Sequence, residues 1–432
     1  MLIPVFTVYA IHLDSATPTL IGVALGSYGL SQGLLQIPFG MLSDRFGRKP
    51  ILTIGLILFA MGSLLGALTH SIYGMIIARI LQGMGAIGSV LIALLADLTP
   101  DALRTKAMAV IGMTIGMSFS LAMVMSPAIA HHYGLSGIFY FTVMLALLGL
   151  GLLHLVIPTP AKEPFHLDSE ASPKLFKPVM KNMQLQRLNA GIFFQHVILT
   201  STFYAIPLLL QQQLKQGNLV TPWHFYLPLM FFSFVVMVPF IILAEKKQLM
   251  KPIFLGSVAV SSLAQGLLAL NDHAWINICI SMFIYFVAFN VLEASLPSLI
   301  SKQAGPESKG TAMGIYSSSQ FLGIFVGGAL AGVIYQWGNS QSVFAFNAIM
   351  GIVWFLIALK MKPNHYQATL VLNYSLSSHT CASTLNKNLL ALPGVVDVVI
   401  AEQEGIIYLR VDRSSYVIGS AENMLNVGST SS

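Results

Sequence analysis

Gly40-Met41-Leu42-Ser43-Asp44-Arg45-Phe46-Gly47-Arg48-Lys49-Pro50 separates two long apolar runs, and its reading decides the fold. The first run ends at Leu42, Asp44, Arg45, Arg48 and Lys49 follow in quick succession, and the second run starts at Ile51. Between two membrane-crossing helices such a stretch is a tight turn. Gly40 and Gly47 permit close approach and a sharp reversal, and the excess of Arg and Lys marks the cytoplasmic side.

Composition supports a membrane setting. Of 432 residues, 55% are hydrophobic and 9% charged, against about 25% charged in soluble domains. Mean hydropathy is +0.76, with repeated apolar runs of about twenty residues, long enough to cross a bilayer. The net charge of +6 does not point to nucleic acid, because Lys and Arg cluster in alternate loops. These are Arg45/Arg48/Lys49, Arg104/Lys106, Lys162 to Arg187, Lys246/Lys247/Lys251, Lys302/Lys309 and Lys360/Lys362. The intervening loops carry almost none, Lys215 being the exception, so these clusters face the cytoplasm. Cys279 and Cys381 are too few and too far apart for a disulfide framework or a paired-cysteine metal site.

In chain order, Met1 to Leu13 is mostly apolar but reaches only about 20 Å as a helix. It reads as the outer half of a first helix whose inner half is missing. With no basic leader region and no small-residue cleavage site, it does not read as a signal peptide. Apolar spans follow at Thr19–Leu42, Ile51–Leu68, Ile72–Leu98, Ala107–His131 and Gly137–Ile157. A polar stretch closes this first half (1–157) and forms a cytoplasmic linker (158–187). The second half (188–361) contains Leu188–Gln212, Trp223–Ala244, Pro252–Leu270, Trp275–Ile300, Gly310–Trp337 and Ser342–Met361. The halves repeat: Phe39 to Pro50 aligns with Phe240 to Pro252, matching Asp44 to Glu245, Arg45 to Lys246 and Lys49-Pro50 to Lys251-Pro252. Arg104-Thr-Lys-Ala-Met-Ala109 likewise parallels Lys309-Gly-Thr-Ala-Met-Gly314.

Residues 362–432 have the composition of a small α+β domain. Ala368–Tyr374, Val395–Glu402 and Ile406–Asp412 read as strands, with a turn at Glu404-Gly405. Thr380–Leu392 and Ser415–Leu425 read as helices. This β-α-β-β-α order suggests a ferredoxin-like fold. Cys381 stands alone, so the domain has no cysteine pair for metal delivery.

The pattern G-x-L-x-D-R-x-G-R-K resembles the signature loop between helices 2 and 3 of the major facilitator superfamily. Arg79-Ile-Leu-Gln-Gly-Met-Gly85, Gln36-Ile-Pro-Phe-Gly40, Phe289 to Pro297 and Ser319-Gln-Phe-Leu-Gly323 extend the resemblance to its drug/proton antiporters. One departure is Ser126-Pro127, where the antiporter signature has Gly-Pro; Gly116 and Ala122 supply the other small positions for helix packing. The resemblance implies an all-α polytopic protein of two six-helix halves, with the first helix truncated and the small C-terminal domain appended. It further implies alternating access in a bacterial inner membrane, with the appended domain in the cytoplasm. The chain is expected to be monomeric and to need no cofactor or metal; its partners are lipid, protons and a small amphipathic substrate. The same resemblance makes Gly40, Asp44, Arg45, Gly47, Arg48, Lys49 and Asp97 a conformational latch, with Arg48 bridging Asp44 and Asp97. A static loop anchor is the plain alternative.

Three ionisable residues at membrane depth are candidates for proton coupling. Arg79 lies within the fourth helix, where the resemblance makes it part of the coupling machinery. Glu293, about 13 Å from Lys302 along the tenth helix, is the foremost candidate proton carrier. His196 is the other interior group that titrates near neutrality. Fixed interhelical hydrogen bonds are the alternative for both. Tyr28, Gln32 and Gln36 recur at four-residue spacing on one helix face. With Phe286, Asn290, Gln320 and Phe321 they suit a largely apolar substrate cavity, although helix-to-helix hydrogen bonding explains the same polar residues. There is no Walker A motif for ATP use, and no nucleophile, base or metal cluster at membrane depth for an enzyme. A metabolite uniporter or symporter, and a sensor gated by the C-terminal domain, remain alternatives to proton-coupled export.

Overall fold

The computed structural model describes residues 1–99, 101–159, 173–247, 249–272, 274–304, 308–361, 367–373, 382–401, 406–412, 416–417 and 419–427. Among them, ten helices are long and apolar enough to cross a membrane. A five-residue helix, α1 (Phe6–Ala10), is followed by α2 (Pro18–Phe46), α3 (Arg48–Leu68), α4 (Ile72–Met84), α5 (Gly88–Leu98) and α6 (Asp101–Leu155). A short α7 (Pro173–Lys181) precedes α8 (Met183–Lys215), α9 (Trp223–Lys246), α10 (Met250–Leu270), α11 (Trp275–Gln303), α12 (Lys309–Trp337) and α13 (Ser340–Leu359). Their bounds follow the apolar runs of the sequence to within a few residues.

Two departures have local causes. The expected span Ile72–Leu98 is interrupted between α4 and α5. Gly83, Gly85 and Gly88 fall within six residues there and weaken the helix, and a Cβ on Gly85 would lie 2.6 Å from the Gly55 carbonyl oxygen. The helix therefore yields where it presses on α3. At 55 residues, α6 exceeds any single crossing; it bends at Gly134, whose φ of 63° is non-helical, between the two expected spans. Within its first limb, Ser126 donates to the Ala122 carbonyl at 2.5 Å and Pro127 lacks an N–H.

α12 is held between α2 and α8. A Cβ on Gly26 of α2 would lie 2.7 Å from the Phe325 carbonyl oxygen, and one on Gly327 would lie 2.8 Å from the Val197 Cα of α8. Backbone therefore meets backbone on both sides of α12. Gly22 faces Gly328 and Gly332, whereas Gly33 faces Ser318 and Leu322, so α2 and α12 run antiparallel along most of their lengths. At the Pro18 end, the Thr19 hydroxyl donates to Gln336 Oε1 at 2.5 Å and Tyr204 donates to the Pro18 carbonyl at 2.8 Å.

The C-terminal unit comprises β1 (Gln367–Asn373), α14 (Ala382–Leu390), β2 (Val395–Ala401), β3 (Ile406–Asp412) and α15 (Ser420–Val427). Its sheet order is β1-β3-β2 with antiparallel pairing on both sides of β3. Leu385 and Leu389 pack on Val398, Ile407, Leu409 and Val411 to form its core. Part of the linker (160–172), Lys362-Pro363, Cys381 and the Glu404-Gly405 turn lie outside the described residues.

Candidate functional site

The charged loop is assembled as its spacing suggests. Gly47, with φ of 94°, ends α2 and starts α3 in a conformation that favours glycine. This turn folds the first residue of α3, Arg48, back over the last turns of α2. Its guanidinium pairs with Asp44, donates 2.7 Å to Ser43 Oγ and 2.8 Å from Nε to Asp97 Oδ2 at the end of α5. The Arg48 side chain is 7% exposed, against 24% for Asp44 and 11% for Asp97, so the guanidinium is buried while Asp44 stays partly open to solvent. Arg45 instead lies beside the Phe46 ring at 5.4 Å, on an exposed surface. Gly40 packs against Ser89 of α5, whose hydroxyl donates to the Gln36 carbonyl at 2.9 Å.

Lys49 does something the motif alone does not reveal. Its ammonium donates to the Ile157 carbonyl, 2.5 Å away, just beyond the end of α6. Its repeat partner Lys251 donates to the Leu359 carbonyl at 3.3 Å, at the end of α13. Both lysines, each opening a helix, thus bind the carbonyl end of the helix packed beside it, where a cation is favoured.

Arg79 is 8% exposed and ties three helices together. Its Nη1 donates to Gln82 at 2.7 Å, and Gln82 donates onward to Ser63 of α3 at 2.8 Å. The guanidinium carbon lies 4.8 Å from the centre of the Tyr28 ring on α2, a cation–π geometry. Among the described residues no carboxylate is ion-paired with Arg79. The Tyr28 ring in turn meets Phe321 of α12 edge to face at 6.2 Å.

Glu293 and His196 come together on the other side of α12. Gln195 of α8 donates to Glu293 Oε2 at 2.8 Å, and Gln320 of α12 lies 3.3 Å from Oε1. The same Gln320 nitrogen is 2.9 Å from His196 Nε2, while His196 Nδ1 is 3.2 Å from the Ile192 carbonyl oxygen. Gln195 and His196 are 2% and 5% exposed. One carboxyl, one imidazole and two amides from three helices form a polar cluster, in which the Gln195 amide oxygen has no partner among the described residues. Gln195 was not among the sequence candidates; a glutamine next to a histidine at membrane depth is the signal that points to it.

The candidate cavity residues divide among several places. Tyr28 and Phe321 meet at the α2–α12 contact, Gln320 belongs to the Glu293 cluster, and Gln32 and Gln36 are buried along α2. Phe286 packs with Phe203 and Phe289, ring centres 5.8 and 5.9 Å away. Asn290 donates to Ser233 of α9 at 3.1 Å. Gly116 lies in the α6–α9 contact, where a Cβ would meet the Phe234 ring at 3.9 Å.

The family model for the Major Facilitator Superfamily matches residues 1–328 and 251–372. The inner membrane transport protein YajR of Escherichia coli (strain K12) is 41% identical over 414 residues, covering 95% of this chain and 90% of that protein. The quinolone resistance protein NorA of Staphylococcus aureus (strain COL) is 26% identical over 362 residues, covering 78% of this chain and 86% of that protein. Among solved structures, the partially occluded inward-open xylose transporter XylE from E. coli superposes with a TM-score of 0.65 at 16% identity, covering 84% of this chain and 92% of that one. At that identity the likeness concerns the fold alone.

Proposed function

The chain belongs to the Major Facilitator Superfamily, and from that premise we propose that it exports a small amphipathic compound across the bacterial inner membrane in exchange for protons. It is a multi-pass secondary transporter that works by alternating access, and not an enzyme. The observation that carries the exchange reading is the pairing of Glu293 with Gln195 and Gln320 at membrane depth, with Gln320 also reaching His196. A carboxyl at membrane depth is costly and belongs to a pathway for protons or ions. Glu293 carries the proton, His196 shares its site, and Arg79 couples α4 to α2 through Tyr28. NorA, a quinolone resistance protein by name, supports a drug-like substrate class. The aromatic rings near the cluster, Phe286, Phe289 and Phe321, suit such a compound.

The Asp44–Arg48–Asp97 cluster is the cytoplasmic latch of the outward-facing state. Lys49 and Lys251, binding equivalent helix ends, support two repeated six-helix halves. The β-α-β-β-α order and the β1-β3-β2 sheet support a ferredoxin-like C-terminal domain. It follows α13 on the side of Arg48 and Lys251, hence in the cytoplasm. The working unit is a monomer.

The deciding experiment is proton flux in proteoliposomes under an imposed pH gradient with a panel of lipophilic cations. Substrate-dependent proton movement that disappears in Glu293→Gln supports exchange through Glu293. Transport of a cation without proton movement overturns it.

A further inference from the structure

The polarity of the Glu293 cluster is fixed everywhere except at one side chain. Gln195 Nε2 lies 2.8 Å from Glu293 Oε2 and 3.4 Å from the Phe289 carbonyl oxygen. A carbonyl only accepts, so Gln195 cannot rotate its amide without placing oxygen against oxygen. Glu293 Oε2 is therefore held as an acceptor, and a proton arriving at this carboxyl must sit on Oε1. The Ile192 carbonyl, 3.2 Å from His196 Nδ1, fixes that nitrogen as a donor by the same logic. A proton arriving at His196 must sit on Nε2.

Both receiving atoms face the same amide. Gln320 Nε2 is 3.3 Å from Glu293 Oε1 and 2.9 Å from His196 Nε2, and its two N–H bonds satisfy two acceptors. Were either atom to gain a proton and need an acceptor, the amide would have to turn its oxygen inward. It would then require both neighbours to donate. An oxygen facing an unprotonated Glu293 Oε1 is repelled, and a nitrogen facing a protonated His196 Nε2 meets donor with donor.

We infer that Gln320 is a two-position amide switch that makes Glu293 and His196 load and release their protons together. The inference rests on Glu293 as the proton site. In the unloaded state Gln320 presents nitrogen to a carboxylate and a neutral imidazole. In the loaded state one proton occupies Glu293 Oε1, a second occupies His196 Nε2, and Gln320 presents oxygen to both. No other bond changes, and the cluster's charge rises by the two protons taken up. Gln320 is a positioning residue: it holds no proton itself.

The titratable groups facing the cluster are few. Tyr285 of α11 and Tyr316 of α12 are near enough to feel the charge of Glu293. From α2 and α4, Tyr28 and Arg79 lie behind the neighbouring Phe321. None replaces the Gln320 amide between the two receiving atoms.

Infrared difference spectroscopy of the full chain in liposomes tests this without a substrate, by following the protonated-carboxyl C=O band against pH. The band that disappears in Glu293→Gln belongs to Glu293. Its titration in wild type is expected to be steep, with a Hill slope approaching about 2, and to fall to about 1 in Gln320→Leu and in His196→Leu. Gln195→Leu, which frees Glu293 Oε2 to take the proton away from Gln320, should lower the slope as well. A wild-type slope of about 1, or a steep slope surviving in Gln320→Leu, overturns the switch while leaving Glu293 as the proton site. A spectrum unchanged by Glu293→Gln removes the proton site as well.

Discussion

Arg48 Nε donates to Asp97 Oδ2 at 2.8 Å, joining the first residue of α3 to the end of α5. The same guanidinium holds Asp44 and Ser43 of α2, so one side chain gathers three helices. Asp97→Asn removes the charge and leaves an amide of nearly the same shape. A charge-assisted hydrogen bond is worth about 1.5–3 kcal/mol, and partial exposure brings the expected loss towards the lower figure. That shifts the balance between states about tenfold. Under the latch proposal the shift is towards inward-facing, checked by double electron–electron resonance between labels on α2 and α12. An unchanged distance distribution would make the cluster a static anchor.

The opposite end predicts the opposite sign. The Thr19 hydroxyl and backbone nitrogen both reach Gln336 Oε1, at 2.5 and 3.2 Å. Gln336→Ala removes both contacts at an exposed site, for about 0.5–1.5 kcal/mol. The outward-facing population is expected to rise several-fold, measured with the same label pair. Combining it with Asp97→Asn should bring the ratio back towards wild type, since the sites share no partner.

Gly26 tests the α2–α12 contact itself. A leucine there would drive its Cβ into the Phe325 backbone, and overpacking of this kind costs about 1–3 kcal/mol or more. A lower thermal midpoint in detergent and slower transport are expected. Gly112, where a Cβ would meet nothing within 4 Å, serves as the control and should accept alanine with little change.

Arg79→Lys keeps the charge and loses the planar fork that binds Gln82 while stacking on Tyr28. If Arg79 couples α4 to α2, transport should fall at least about tenfold while the thermal midpoint changes little. A drop in stability with full residual transport per folded molecule would make Arg79 a structural residue.

Proton exchange also carries a sign. With Glu293 loaded from outside and unloaded inside, acidifying the external medium should speed export, and collapsing the gradient should slow it. In Glu293→Gln the rate should no longer respond to the gradient. Flux measured at several external pH values decides it.

Much of this was legible in the chain because bilayer and charge impose short-range rules. The loop from Gly40 to Pro50 set the turn, and the family resemblance suggested the partners of Arg48, before any contact was known. Apolar run lengths set the helices from α2 to α13 closely. The break after Met84 was less visible, since three glycines weaken a helix but do not say whether a neighbour will exploit the weakness. Gln195 and Gln82 were missed for a related reason. An uncharged amide in a membrane helix acquires meaning only from the residue facing it, and Glu293 and Arg79 are brought to them by tertiary packing. The scatter of the cavity candidates has the same origin, because spacing along α2 does not reveal which neighbour each side chain meets.

The glycine-lined contacts on both flanks of α12 bear on how the protein moves. Interlocking side chains act like gear teeth: sliding them requires climbing over each tooth, and the middle of the interface would then dominate the barrier. Gly26 against Phe325 and Gly327 against Val197 place smooth backbone against smooth backbone, more like a journal in its bearing. Small pivots there exchange one set of van der Waals contacts for another of similar worth. Along the α2–α12 contact, resistance to motion is thereby moved towards the rim, where Thr19 grips Gln336.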